Sequence, residues 1–540
     1  MKQLEKLLLL IRTVRHLRLR QVAFQLWYRL RPKPFIRAST GAKTAARPVW
    51  NGALYSKQSY FTPNRFEFLN KTGQVLESAD WNSEQFDKLW LYNLHYFDDL
   101  NAVESDSRVQ EHCALIHRWI SENPVMTGNG WEPYPLSLRI VNWIKWCWRN
   151  PTEVDQTIVN SLHTQVKALE KQIEYHILAN HLFANTKALA FASRFFEGAS
   201  SLKWGKKASQ LLTHELDEQF LDDGAHYERS PMYHCILLWD LLDLYCLYKG
   251  ATESSETCLL LKVRAERALG WLNALVHPDG EIPFFNDTTF EIAPKVTQIH
   301  DYAQHLDLKC GNISLNASGF ARTTKGRFTL IADVGQIAPR YQPGHAHAEA
   351  GSFELSCGEH RVFVNSGISE YGMGDTRKQQ RATSAHNAVE VRRAERELNS
   401  SEVWSGFRVA RRARVKAEKA VSSLQCVIEG FWHKNKMAVH KREFLLGEAG
   451  SNENEIIIRD FLLGADGGKA YFHLHPECKA QHSDSSVEVN IHGHSVQMEF
   501  SGIVKKVTLK NGYWYPAFGK AEPNLYICVE FEDKLVTKIS

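Results

Sequence analysis

The chain of 540 residues lacks any closely spaced cysteine pair: its 10 cysteines are scattered from Cys113 to Cys528 with no CxxC. At this length that pattern excludes a disulfide framework and reads as reduced, mostly buried thiols. Net charge is small, +4 with histidine neutral, so nothing suggests a nucleic-acid partner. No apolar run reaches membrane-spanning length. The first, Leu7–Ile11, stops at Arg12 and is followed by Arg15, Arg18 and Arg20 with no small-residue cleavage site. It does not read as a signal peptide. It reads as a basic helix that docks on the protein or touches an anionic membrane surface. The expected location is cytoplasmic or peripheral to the membrane, with periplasmic as the alternative.

What is abundant is aromatic and histidine content: 15 Trp, 18 Tyr, 27 Phe and 24 His. Flat rings beside polar groups suit sugar stacking, and they suit large cores equally well. The length exceeds one ordinary core. Residues 1–80 read as a basic helix, stopped by Arg31-Pro-Lys-Pro, and a loop-rich lead-in. From 81 to 315 apolar residues recur at three and four spacing, as in Val109–Glu122, Val154–Tyr175, Thr186–Glu197 and Tyr233–Tyr248. Helix pairs with short connections predict a toroid or superhelix of hairpins. From 316 to 540 short alternating runs between Gly, Asn and Asp predict an antiparallel β-sandwich. The default site is a cleft where the two halves meet.

Five stretches could carry chemistry. Gly344-His-Ala-His-Ala-Glu349 reads as a loop between strands, with His345, His347 and Glu349 on one face if extended. Ser384-Ala-His386-Asn387 leads into a further strand. Converging, these residues make a metal site, an acid–base site, or merely a hydrogen-bonded strand edge. Asn180, His181 and Asn185 interrupt an apolar helical run and need partners if buried. Ser230-Pro231 is an N-cap followed by proline, which puts Tyr233 in a first helical turn, where the dipole would lower a phenol's pKa. Within 130–146, Trp131, Tyr134, Arg139 and Asn142 suit an acidic sugar, by stacking and by charge.

Taken in order, Tyr134-Pro-Leu-Ser-Leu-Arg139, Asn180-His-Leu-Phe-Ala-Asn185, Glu228-Arg-Ser-Pro-Met-Tyr233-His234, Phe285-Asn-Asp287, Gly344-His-Ala-His-Ala-Glu349 and Thr383-Ser-Ala-His386-Asn387 resemble the heparinase II/III-like polysaccharide lyases, in the branch found with bacterial exopolysaccharide and capsule genes. The resemblance implies an (α/α) toroid followed by antiparallel β-sandwiches, and cleavage of uronic-acid glycosidic bonds by β-elimination. It implies that Asn180 and His181 neutralise the uronate carboxyl, that Tyr233 moves the C5 proton, and that His345 assists as acid or base. Trp131, Tyr134, Arg139, Asn142, Asn185, Arg229 and Arg381 are the residues expected to hold substrate. In some relatives a structural zinc binds at the positions of His347, Asn365 and His386. Here Asn365 stands where an aspartate is usual and Glu349 where the motif commonly has aspartate. Loss of an anionic oxygen weakens a zinc site, so weak zinc or none is expected, and elimination itself requires no cofactor. The expected partner is an acidic polysaccharide; a glycan-binding protein of exopolysaccharide or capsule assembly, without catalysis, is the alternative.

Overall fold

The computed structural model describes residues 2–45, 50–252, 255–393, 396–398, 400–420, 422–433, 436–445 and 454–540. The first half is helical: α1 (Lys2–Val14), α2 (Leu19–Leu30), α3 (Lys88–Tyr96), α4 (Val109–Glu122), α5 (Pro133–Arg149), α6 (Gln156–Glu170), α7 (Ala179–Phe195), α8 (Ala199–Gln219), α9 (Pro231–Thr252), α10 (Glu256–Leu275) and α11 (Val296–His305). Hairpins α5–α6, α7–α8 and α9–α10 stand side by side. Helices α3, α5, α7, α9 and α11 form an inner layer, and α4, α6, α8 and α10 an outer one. Between the layers the indoles of Trp90, Trp119, Trp143, Trp146 and Trp204 are almost wholly buried. This is the predicted toroid of hairpins, with α1 and α2 lying outside it as an arm.

The second half is antiparallel β. A meander of four strands (Phe320–Lys325, Phe328–Asp333, Phe353–Cys357, His360–Phe363) faces a sheet of eleven. The two share one core: Phe353 packs against Phe444 and Phe472 with ring centroids 5.7 and 6.2 Å apart. The widest departure from the sequence expectation is a long twisted hairpin, His494–Trp514 paired with Glu522–Ile539. Only the parts Leu525–Phe531 and Val496–Phe500 were legible from alternation. Bulges near Gly502 and Val504 break the period beyond that point.

One buried ion pair ties the large sheet to the loops beneath the meander. Arg442, wholly buried, donates through Nε to Asp460 at 2.7 Å and through Nη1 to the carbonyls of Gly351 and Asn387, both at 2.8 Å. Those carbonyls flank the two histidine-bearing loops. Replacing Arg442 by leucine should leave the buried Asp460 carboxylate with His440, 2.7 Å away, in place of the guanidinium, at a cost of ~3–5 kcal/mol. Chemical denaturation of the variant checks this; a loss well below that range would mean the loops are held by other contacts.

Candidate functional site

Two helix starts and one β-loop converge at the domain junction. Helix α7 begins at Ala179, seven residues earlier than its periodicity suggested, so Asn180 and His181 occupy its first turn. Leu178 and Ala179 before them hold φ of 68° and 55°, a left-handed conformation that costs side-chain-bearing residues energy and here aims the turn. Helix α9 is capped by Ser230, whose hydroxyl accepts from the Tyr233 N–H at 3.2 Å. Its Oγ also donates to the Asp287 carbonyl at 2.5 Å. The segment 285–288 thereby stitches the toroid to the loop after Gly344: the Asn286 N–H donates to Glu349 at 2.6 Å, and the Asn286 side-chain oxygen accepts from the His347 N–H.

Asp287 sits at the centre, with no exposure. One carboxylate oxygen accepts from His345 Nδ1 at 2.9 Å, the other from His347 Nε2 at 2.7 Å, and Arg377 grips both oxygens. Burial alone would raise its pKa. Arg377 and the two imidazoles hold it well below the usual carboxylate range. With Nδ1 committed to Asp287, the ring atom His345 presents to the cleft is Nε2. It lies 3.4 Å from Asn180 Nδ2 and 3.5 Å from Glu228 Oε2. Asn180 also donates to Glu228 Oε1 at 3.0 Å. The Tyr233 ring stacks obliquely on His345 with centroids 3.9 Å apart, and its hydroxyl meets that of Tyr371 at 3.2 Å. His345 and Tyr233 keep 8% and 9% of their surface exposed, so both are nearly enclosed at the junction.

The electrostatics correct one expectation. Tyr233 does sit at a helix start, but burial raises its pKa well above the ordinary phenol value, and Tyr371, Tyr134 and Asp287 push the same way. Desolvation of a phenolate outweighs a helix end. Arg229, expected to hold substrate, instead donates to the Gln336 carbonyl and lies near Asp333. Tyr233 is therefore a neutral phenol. His181 goes the other way: burial disfavours its charge, yet Glu174 at 2.9 Å raises its pKa above the ordinary histidine value.

Several residues expected to hold substrate are committed elsewhere. Arg139 is wholly buried, donating to Gln165, His95 and Gly130 and lying 3.9 Å over the Trp119 ring. Asn185 is buried between Ser137 and Glu174, and Arg381 between Ala346, Pro343 and Gly406. None of the three is free to meet a ligand; they brace the walls. Asn142 donates to Asp98 and the Tyr96 carbonyl, lining with Tyr134 a polar cavity of about 100 Å³ that also contains Lys145, Lys187 and Asp243. Tyr134 reaches the site, its ring centroid 4.3 Å from that of His181. Trp131 lines a separate groove of about 590 Å³ against Tyr28, Arg31 and Lys33 of the arm. Glu228 and Asp287 lay inside quoted motifs and could have been singled out as carboxylates beside a histidine or an asparagine. Tyr371 and Arg377 carried no signal.

A second buried group adjoins the first. His347 Nδ1 and His386 Nε2 face each other at 3.0 Å, and Glu349 Oε2 lies 3.2 Å from His386. His386 Nδ1 is held by the Ala382 carbonyl and His347 Nε2 by Asp287, so each ring turns a lone pair to the other. Glu349 Oε2 has no hydrogen-bond partner. Asn365, expected as the third ligand, gives its side-chain oxygen to the Asn387 N–H instead. The carboxylate of this group is thus that of Glu349, with Asn365 outside it. Two opposed lone pairs beside an orphaned carboxylate oxygen fit a zinc ion better than a void. Zinc bound by His347, His386 and Glu349 would supply a structural cross-link between the two histidine loops. The protein should therefore carry stoichiometric zinc, and chelation should lower its melting temperature, more so than in Glu349→Gln. Metal-free protein with an unchanged melting curve on chelation would contradict this assignment.

Matches to known proteins follow the same two halves. The heparinase II/III N-terminus matches residues 14–308, and the heparinase II/III-like C-terminal domain residues 311–540. FtsZ-localized protein C of Caulobacter vibrioides is 26% identical over 53% of this chain and 52% of its own length. Heparin-sulfate lyase of Bacteroides stercoris is 24% identical over 40% of this chain and 36% of its own. The chain thus spans about half or less of the curated relatives it matches. Among solved structures, a heparinase III superposes with TM-score 0.62 at 16% identity, covering 86% of this chain and 80% of that one. The heparan sulfate lyase HepC of Pedobacter heparinus gives 0.56 at 15%, covering 88% and 80%. At such identity the likeness is one of fold.

Proposed function

The chain belongs to the heparinase II/III family, and from that premise we propose that it is a polysaccharide lyase cleaving an acidic, uronate-containing polymer by β-elimination at the junction of its domains. The observation that carries this is the meeting of Asn180, Tyr233 and His345 across two domains, each oriented by buried partners.

The uronate carboxyl is received by the first turn of α7, with the Asn180 amide and the cationic His181 nearby. Two helix starts and an imidazolium offset the charge that develops as C5 loses its proton. His345 Nε2 takes that proton, its ring held by Asp287 in the tautomer that leaves Nε2 free. The C5–H electron pair becomes the C4–C5 double bond, and the C4–O bond breaks. The neutral phenol of Tyr233 gives its proton to the departing oxygen. Tyr371, hydrogen-bonded to Tyr233, is placed to share the phenolate charge until solvent restores the proton. Water takes no part in bond cleavage. These roles exchange base and acid relative to the family pattern, because a phenol buried this deeply is a better donor than base.

Digestion of a panel of acidic polysaccharides tests the reading, since elimination creates an unsaturated, ultraviolet-absorbing end. Tyr233→Phe and His345→Ala should each lower kcat by roughly a hundredfold or more, while substrate still binds. Binding of an acidic polymer by the unaltered chain with no unsaturated product would instead favour the non-catalytic glycan-binding role. Loss of the His181 charge gives a pH signature. Its raised pKa keeps the imidazolium above pH ~6.5, and the associated stability and neutralising power are complete below the unfolded value and lost as pH rises through the folded one. Glu174→Gln should therefore move the alkaline limb of kcat/KM to lower pH. An unmoved limb would show that His181 does not carry the neutralising charge.

A further inference from the structure

The arm formed by α1 and α2 is amphipathic the wrong way round for a helix that merely packs on its own protein. Helix α1 docks through Arg12 and Thr13: Thr13 accepts from the Trp404 indole at 3.2 Å, and Arg12 pairs with Glu402 at 3.6 Å. The opposite face carries Leu4, Leu7, Leu8, Ile11 and Val14 at three and four spacing, between 41% and 63% exposed. Helix α2 repeats the arrangement. It is held by Gln21, whose amide donates to the Tyr341 carbonyl, by Tyr28 on the Ile173 carbonyl and by the Arg18–Glu218 pair. It turns outward Leu19, Leu26, Trp27 and Leu30, and Phe35 follows at 92% exposure. Residues 2–37 contain ten lysines and arginines and one acid, Glu5. Lys6, Arg15, Arg20, Arg29, Lys33 and Arg37 remain exposed around the apolar stripes. Among the described residues no helix is long and apolar enough to cross a membrane.

We propose that this arm is an interfacial anchor that lays both apolar stripes into the headgroup region of an anionic bilayer. Charge complementarity selects that occupant: an apolar face ringed almost wholly by cations matches acyl chains beneath anionic headgroups. An ordinary protein interface is instead depleted of charge at its core and mixed in sign at its rim. Docking on the protein and contact with a membrane, which looked like alternatives in the sequence, use opposite faces of the same helices. The strand hairpin beneath α1 also carries Phe407, 5.7 Å from the His345 ring. Anchoring would therefore fix the cleft beside the bilayer surface.

Flotation of the full chain with phosphatidylcholine vesicles, with and without phosphatidylglycerol, tests the proposal. Partition should be ~10-fold or more stronger on the anionic vesicles. It should fall at least as far in Leu7→Glu/Ile11→Glu and in Arg15→Glu/Arg29→Glu, with melting temperature and activity unchanged. The charge-reversed variant keeps the test open if the first fails to fold. Failure to float on either vesicle, equal partition on both, or binding unaffected by the substitutions would overturn it. Lipid-free self-association abolished by Leu7→Glu/Ile11→Glu would assign the face to a second copy of the chain and overturn it as well.

Discussion

The buried carboxylate of Asp287 is the constraint on which the junction depends. An ion with no exposure costs several kcal/mol unless its lone pairs are met. Here they are met by Arg377 and by two histidines from one loop. Its own backbone is fixed by Ser230 at the start of α9 and by the His345 carbonyl, which accepts from the Asp287 N–H at 3.0 Å. The same group orients His345 toward the cleft and His347 toward Glu349 and His386. The candidate site and the metal-fitting group therefore share one support, and the two domains cannot separate without exposing it. Positions this interdependent act non-additively when changed.

Much of the architecture was legible because hydrophobic period is a local signal. Helices α4, α8, α9 and α10 and the change to alternating strands follow from spacing alone. Helix α7 was placed late because Asn180 and His181, in its first turn, break the apolar pattern. Arg139 was misread for a related reason. An arginine in an apolar helix suggests a ligand contact, but carbonyls of His95 and Gly130 close around it, and those partners lie far off in sequence. The Tyr233 pKa was read from a helix start, a local feature, whereas its value is set by burial against the other domain. Arg377 and Tyr371 come from a segment with no distinguishing pattern, so nothing short of the fold could bring them in.

The metal-fitting group shows why a ligand set is hard to read position by position. Asn365 turns its side-chain oxygen to the Asn387 N–H, while Glu349, two residues beyond His347, brings a carboxylate oxygen within 3.2 Å of His386. The histidine loops are held in any case by Arg442 and Arg381, so a metal would reinforce a pocket that protein contacts already shape.

The central claim is that the bond breaks by elimination, without water. It is tested most directly by running the reaction on a cleaved acidic polysaccharide in water enriched in heavy oxygen and weighing the new chain ends at once. The account predicts an unsaturated end and no heavy oxygen in either product. Heavy oxygen at a new reducing end, with no unsaturation, would mean a hydrolase and would contradict it.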